Sequence, residues 1–199
     1  MRKFAKTLKL MKKSFTLLTL MLCVLGLQAQ DKPLYGFKSA ILKTVTTTGE
    51  AKSYDTRWID DYGAKEKSVT KMDMGEMGNY EATILMVGKD AWAINSDGKA
   101  KKMEGRPVID WRNLSKEDYK YYDIKDLGKE EYKGKTCQVY SYKQKQLLTK
   151  VNITVWVWEG LVIRQHIKKK LSESWVELES LNVGVRIPAG TFDIPKNYE

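Results

Sequence analysis

The chain of 199 residues is poor in the side chains that most often carry chemistry, with two cysteines, one histidine and four prolines. Cys23 falls in an apolar leader, so Cys137 is the single thiol of the remainder, and an internal disulfide is excluded there. One cysteine with one histidine, His166, leaves too few soft ligands for a structural zinc site. No glycine-rich loop precedes a helix and no phosphate-binding lysine motif is present, which removes the usual nucleotide folds. A Ser/His/Asp or Cys/His enzyme would have to use His166, but it sits in Val162-Ile-Arg-Gln-His-Ile-Lys168 on the polar alternation set with Arg164 and Lys168. Carboxylate doublets exist at Asp60-Asp61 and Glu130-Glu131, yet neighbours on a strand face opposite sides and do not make a catalytic pair. Cys137, in the alternating stretch Thr136-Cys-Gln-Val-Tyr-Ser-Tyr142, reads as a small buried filler. No catalytic residue, metal or cofactor is expected.

Basic residues exceed acidic ones, 35 to 25, for a formal net charge of +10, but the excess is uneven. Six of the positives, Arg2, Lys3, Lys6, Lys9, Lys12 and Lys13, lie in the first thirty residues, which hold no acid. The remaining 29 basic and 25 acidic side chains leave +4, which gives no support to nucleic-acid binding. Residues 1–29 read as a secretory signal: a basic start, the apolar run from Phe15 to Leu27, then Gln28-Ala29. That run is short for a bilayer span, and Met11-Lys12-Lys13 offers a second, more conventional start. Leu22 before Cys23 disfavours a lipobox. The expectation is a protein exported to the periplasm or envelope, with residues 30–199 as one domain.

After Pro33 the chain is rich in Val, Ile, Thr, Tyr and Trp with period-2 alternation and glycine at short intervals, the mark of antiparallel strands. Strands are expected at 35–47, 52–61, 66–72, 80–87, 91–95, 99–103, 125–132, 136–143, 150–158, 161–169, 174–182 and 185–187. Asp97-Gly98 signals a hairpin and Glu159-Gly160 the tightest turn. Ser115, followed by Glu117 and Asp118, predicts a short helix between Asn113 and Asp123. The fold class is mainly β (α+β): a single antiparallel meander of about ten or eleven strands with one or two helices, and a sheet that wide tends to curl.

Two stretches turn apolar on both alternation sets. In Val151-Asn-Ile-Thr-Val-Trp-Val-Trp158, Val151, Ile153, Val155 and Val157 point one way and Trp156 and Trp158 the other. Thr83-Ile-Leu-Met-Val87 behaves alike, so both faces need covering by a helix, another sheet or a bound apolar ligand. Met72, Met74 and Met77 cluster near a turn, where methionine suits ordinary packing, adaptable contact with acyl chains, or, as a third reading, cuprous copper. Lys168-Lys-Lys170 is a solvated strand end or a contact for anionic lipid headgroups.

Leu127-Gly-Lys-Glu-Glu-Tyr-Lys-Gly-Lys-Thr-Cys-Gln-Val-Tyr140, Val155-Trp-Val-Trp-Glu-Gly160 and Val185-Arg-Ile-Pro-Ala-Gly-Thr-Phe-Asp-Ile-Pro195 resemble secreted relatives of the LolA/LolB-like periplasmic lipoprotein carriers. The resemblance implies a half-open barrel, its concave face closed by helices, that shelters acyl chains without catalysis and sorts cargo toward the outer membrane. It makes Arg57, beside Trp58, the candidate for the carriers' latching arginine. The expected cavity lining is Trp58, Leu85, Met86, Trp92, Trp156, Trp158 and Ile163, with Met72, Met74 and Met77 at its rim. The expected partner is a lipid or lipoprotein acyl chain, with transient contact to a membrane surface. The alternative is a module of the same fold that docks on an envelope protein and senses lipid stress.

Overall fold

The computed structural model describes residues 33–103, 109–146 and 149–196, so the leader lies outside the described residues. Eleven strands form one antiparallel sheet: β1 (Ala40–Thr48), β2 (Ala51–Asp60), β3 (Lys65–Asp73), β4 (Asn79–Val87), β5 (Asp90–Asn95), β6 (Ala100–Met103), β7 (Lys125–Tyr132), β8 (Lys135–Gln146), β9 (Thr149–Trp158), β10 (Leu161–Lys168) and β11 (Glu173–Val183). The strand order is β6-β5-β4-β3-β2-β1-β11-β10-β9-β8-β7. Two meanders thus meet where β1 pairs with β11, and β6 and β7 are the free edges. The sheet is not closed, and with one helix packed on it the architecture is the expected half-open barrel.

The chain must pass from one free edge to the other between β6 and β7, and there it forms helix α1 (Lys116–Tyr122). Ser115 and Asp118 make a reciprocal capping box, and Asp123 ends the helix in the left-handed region at φ 51°. The helix starts later than Asn113 because the Asp110 carboxylate accepts from the amides of Arg112 and Asn113, holding them in a turn.

Two expected strand segments are not strands. The stretch 35–39 crosses the sheet's end: Leu34 donates to the Tyr62 carbonyl at 3.1 Å and Gly36 to that of Glu159 at 2.9 Å. The amides of Leu34, Tyr35 and Gly36 and the Lys38 carbonyl are thus bonded to the β2–β3 and β9–β10 turns instead of to a ladder. The stretch 185–187 leaves the sheet after Gly184, whose φ of 71° turns the chain away from β11.

Leu34, Tyr35 and Phe37 belong to a buried cluster with Ala40, Leu42, Ile59, Cys137, Val139, Trp156, Leu161, Ile163 and Leu178, which plugs that end. Close approach there requires glycine. A Cβ on Gly160, at φ +84°, would stand 2.3 Å from the Leu34 carbonyl oxygen, and one on Gly63 would meet the Tyr35 ring at 2.9 Å. A second cluster places Ile109, Trp111 and Ile124 of the crossover on Tyr140, Val151, Ile153, Val155, Val157 and Ile167. The two alternation sets of β9 therefore enter different clusters, Val151 to Val157 under the crossover and Trp156 in the plugged end.

Candidate functional site

Register links one face across most of the sheet. The row Tyr80, Met72, Ser53, Thr46, Val176, Gln165, Val155, Tyr140 crosses eight strands from β4 to β8. Its character changes along the way. On β8 to β10 this face is apolar and aromatic, with Trp111 of the crossover stacked on Tyr140 at 5.3 Å and tilted on Tyr142 at 5.6 Å. On β1 to β3 the same face buries Thr44, Thr46, Ser53, Glu66, Ser68 and Thr70 and half-buries Asp55 and Arg57. The outward set of β3, Lys65, Lys67, Val69 and Lys71, carries its lysines on the other side.

Glu66 is the deepest of these groups, 2% exposed. Tyr35 donates to its Oε1 at 2.8 Å, whereas Oε2 has no hydrogen-bond partner among the described residues and lies 4.0 Å from Arg57 Nη1. Burial pushes the Glu66 carboxyl above its ordinary value, against the opposing pull of Arg57 and Tyr35. Asp55 is also raised by burial, opposed by Arg57 and by the Thr70 hydroxyl, which donates to it at 2.9 Å. Tyr35 is held well above the usual phenol range, first by burial and then by the Glu66 charge. Arg57, the candidate latch, therefore lies near two carboxyls, Asp55 on its own strand and Glu66 on β3.

The seven residues expected to line one cavity fall in different places. Trp58, Leu85 and Trp92 share a row with Lys67 and Lys102 on the face opposite the hydroxyl floor. Met86 pairs with Glu66 and lies on the floor's face, as does the buried Met72. Trp156 and Ile163 are in the plugged end, and Trp158 packs against it, stacked on Phe37 at 5.8 Å under Lys135. Met74 is half-buried in the β3–β4 turn, and the Met77 side chain lies outside the described residues. Sequence reasoning missed the hydroxyl floor. Its signal was the even-numbered run Glu66, Ser68, Thr70, Met72, which looks solvent-facing in a lone strand.

His166 stacks on Trp175 at 4.0 Å between centroids, and its Nε2 lies 3.1 Å from Glu173. Arg164 lies 4.6 Å from the Trp156 ring centre, 4.7 Å from that of Trp175 and 5.0 Å from that of Tyr132, a cation clasped by three aromatics. The Cys137 thiol is pushed up to about 11, first by burial, which keeps it protonated and inert at neutral pH. Among the described residues no cluster of His, Cys, Asp or Glu has the makings of a metal site, and no helix is long and apolar enough to cross a membrane.

No protein-family model matches the chain, and no curated protein is significantly similar to it. Solved structures do match. An uncharacterized conserved protein from Thermus thermophilus superposes with a TM-score of 0.52 at 7% identity, covering 80% of this chain and 87% of that one. MucB of the Pseudomonas aeruginosa MucA/MucB complex matches at TM-score 0.48 and 11% identity over 78% of this chain, which spans about half (55%) of that one. An outer membrane lipoprotein-sorting protein domain from Vibrio parahaemolyticus matches at TM-score 0.39 and 10% identity, over 79% of this chain and 90% of that one. At such identities the likeness concerns the fold alone.

Proposed function

We propose that the protein is a non-catalytic envelope carrier that takes a lipid or lipoprotein acyl chain onto the face covered by the 109–124 crossover. The observation that carries this is topological. Among the described residues no ladder joins the sheet's two edge strands, and the crossover between them lays Ile109, Trp111 and Ile124 on an apolar wall. A crossover held by side-chain packing, with Arg112 donating to the Tyr35 carbonyl at 3.0 Å and Asp123 paired with Lys143 at 2.6 Å, can lift without breaking the sheet, and an acyl chain can take its place on the wall. Sheltering such a chain recovers about 0.8 kcal/mol per CH₂ removed from water, so affinity needs apolar area and no covalent step. The hydroxyl floor on β1 to β3, continuous with that wall, offers hydrogen bonds to a polar headgroup. Export of the mature protein, read from residues 1–29, supplies a compartment in which lipids must cross water.

A photoreactive fatty acid tests the placement. Adducts are expected on Trp111, Tyr140, Tyr142, Met72 or Met86. Adducts confined to Trp58, Trp92, Trp156 or Trp158 would move the site to the opposite face, and no saturable labelling would contradict the carrier reading. The second reading, a module docking on an envelope protein, draws on β7, an edge strand whose seven residues from Lys125 to Glu131 are all exposed and whose outer side has no partner strand.

A further inference from the structure

The antiparallel register sorts the turns to two ends of the sheet. The β2–β3, β7–β8 and β9–β10 turns lie at the end plugged by Leu34, Tyr35 and Phe37. The β1–β2, β3–β4, β8–β9 and β10–β11 turns lie at the other. At that opposite end Lys168 closes β10 and the β10–β11 turn continues with Lys169, Lys170 and Leu171. Leu171 is 94% exposed, more than any other large apolar residue described, and Lys168 and Lys170 are exposed beside it. The turn is tight, with Lys169 donating to the Ser172 carbonyl at 2.8 Å, and this holds Leu171 outermost. No acid lies between Lys168 and Ser172, and the adjoining Glu173 is engaged by His166 at 3.1 Å. In the neighbouring hairpin the register pairs Lys145 with Lys150 at the same end.

A lone exposed leucine is ordinary on a protein surface. A leucine at the apex of a tight turn, collared by three lysines, combines the two attractions that hold a peripheral protein on a bilayer. These are apolar insertion at the headgroup boundary and cation attraction to an anionic leaflet. We propose that the β10–β11 tip docks the end of the barrel opposite Leu34, Tyr35 and Phe37 on an anionic membrane, with Leu171 inserted among the headgroups and Lys168, Lys169 and Lys170 against lipid phosphates. The site is on the outside of the barrel and is independent of what the interior binds.

The test is co-sedimentation of the protein, isolated without detergent, with vesicles of phosphatidylglycerol and phosphatidylcholine against vesicles of phosphatidylcholine alone. Binding is expected only to the anionic vesicles and is expected to fall with salt. Each of Lys168→Gln, Lys169→Gln and Lys170→Gln weakens it about fivefold. Leu171→Ser, which leaves the charge unchanged, weakens it about tenfold. Lys43→Gln, an exposed position on β1 away from the tip, leaves it unchanged. Equal binding to neutral vesicles, equal loss with Lys43→Gln, full binding by Leu171→Ser, or no binding at all would each overturn the proposal. Uptake of a fatty acid in solution should be the same in every tip variant, so failure of this proposal and failure of the carrier reading are separable.

Discussion

Glu66 shows what a single buried group imposes. Its folded-state value is raised, chiefly by burial, and so is that of Asp55 across the β2–β3 ladder. A carboxyl raised in the folded state binds its proton more tightly there than in the unfolded chain. Its contribution to stability is therefore fully present below the ordinary carboxylate range and is lost as pH rises through the raised value. Glu66→Gln keeps an acceptor for the Tyr35 hydroxyl and removes the titration. Thermal melts between pH 7.5 and 5 should show the wild type gaining more stability on acidification than the variant; parallel curves would mean that Glu66 does not titrate there. Trp156 makes a second case. Its ring is buried beside Arg164 and Trp175, so Trp156→Ala should cost about 3–5 kcal/mol in denaturant unfolding. Unfolding at the wild-type midpoint would remove Trp156 from the core. Alternation in the sequence separates Trp156 from Val155, but the ring partners come from β10 and β11, and spacing within one strand does not specify its neighbours.

At the scale of elements, strand bounds in the sequence follow period-2 alternation and glycine turns, and the folded strands fall within one to three residues of most of them. Alternation fails at 35–39 and 185–187, where the apolar residues are needed but the backbone is bonded to turns or leaves the sheet. The same limit hid the floor of Thr44, Thr46, Ser53, Ser68 and Thr70, because small hydroxylic residues look identical on a wet face and on a covered one. The β9–β10 turn is the sharpest test of an element. Gly160→Ala adds left-handed strain of about 1–3 kcal/mol and a contact with the Leu34 backbone that a flexible side chain cannot relieve. Its melting temperature should drop well below that of Gly49→Ala, where a Cβ meets nothing; equal losses would contradict the packed end. Helix α1 answers to a smaller change: Ser115→Ala removes half of the capping box and should cost about 1 kcal/mol. A melt unchanged by that substitution would show the helix to be held by packing alone.

For the molecule as a whole, the short turns made a meander legible, and the width of the sheet made curling legible. The β1–β11 pairing and the edge-to-edge crossover were not, because both join segments far apart in the chain and no local signal encodes them. Those two features create the geometry on which the carrier proposal rests: a sheet that stops short of closing, packed at one end by Leu34, Tyr35 and Phe37, with a helix-bearing strap over an apolar wall. If that wall exists to hold an amphiphile, the protein should carry one from the cell. Native mass spectrometry with organic extraction, on protein purified from the envelope fraction without detergent, is the most direct measurement. The account predicts co-purified phospholipid or acylated peptide at a fixed ratio to protein. An empty protein that also fails to take up a fluorescent fatty acid would contradict it.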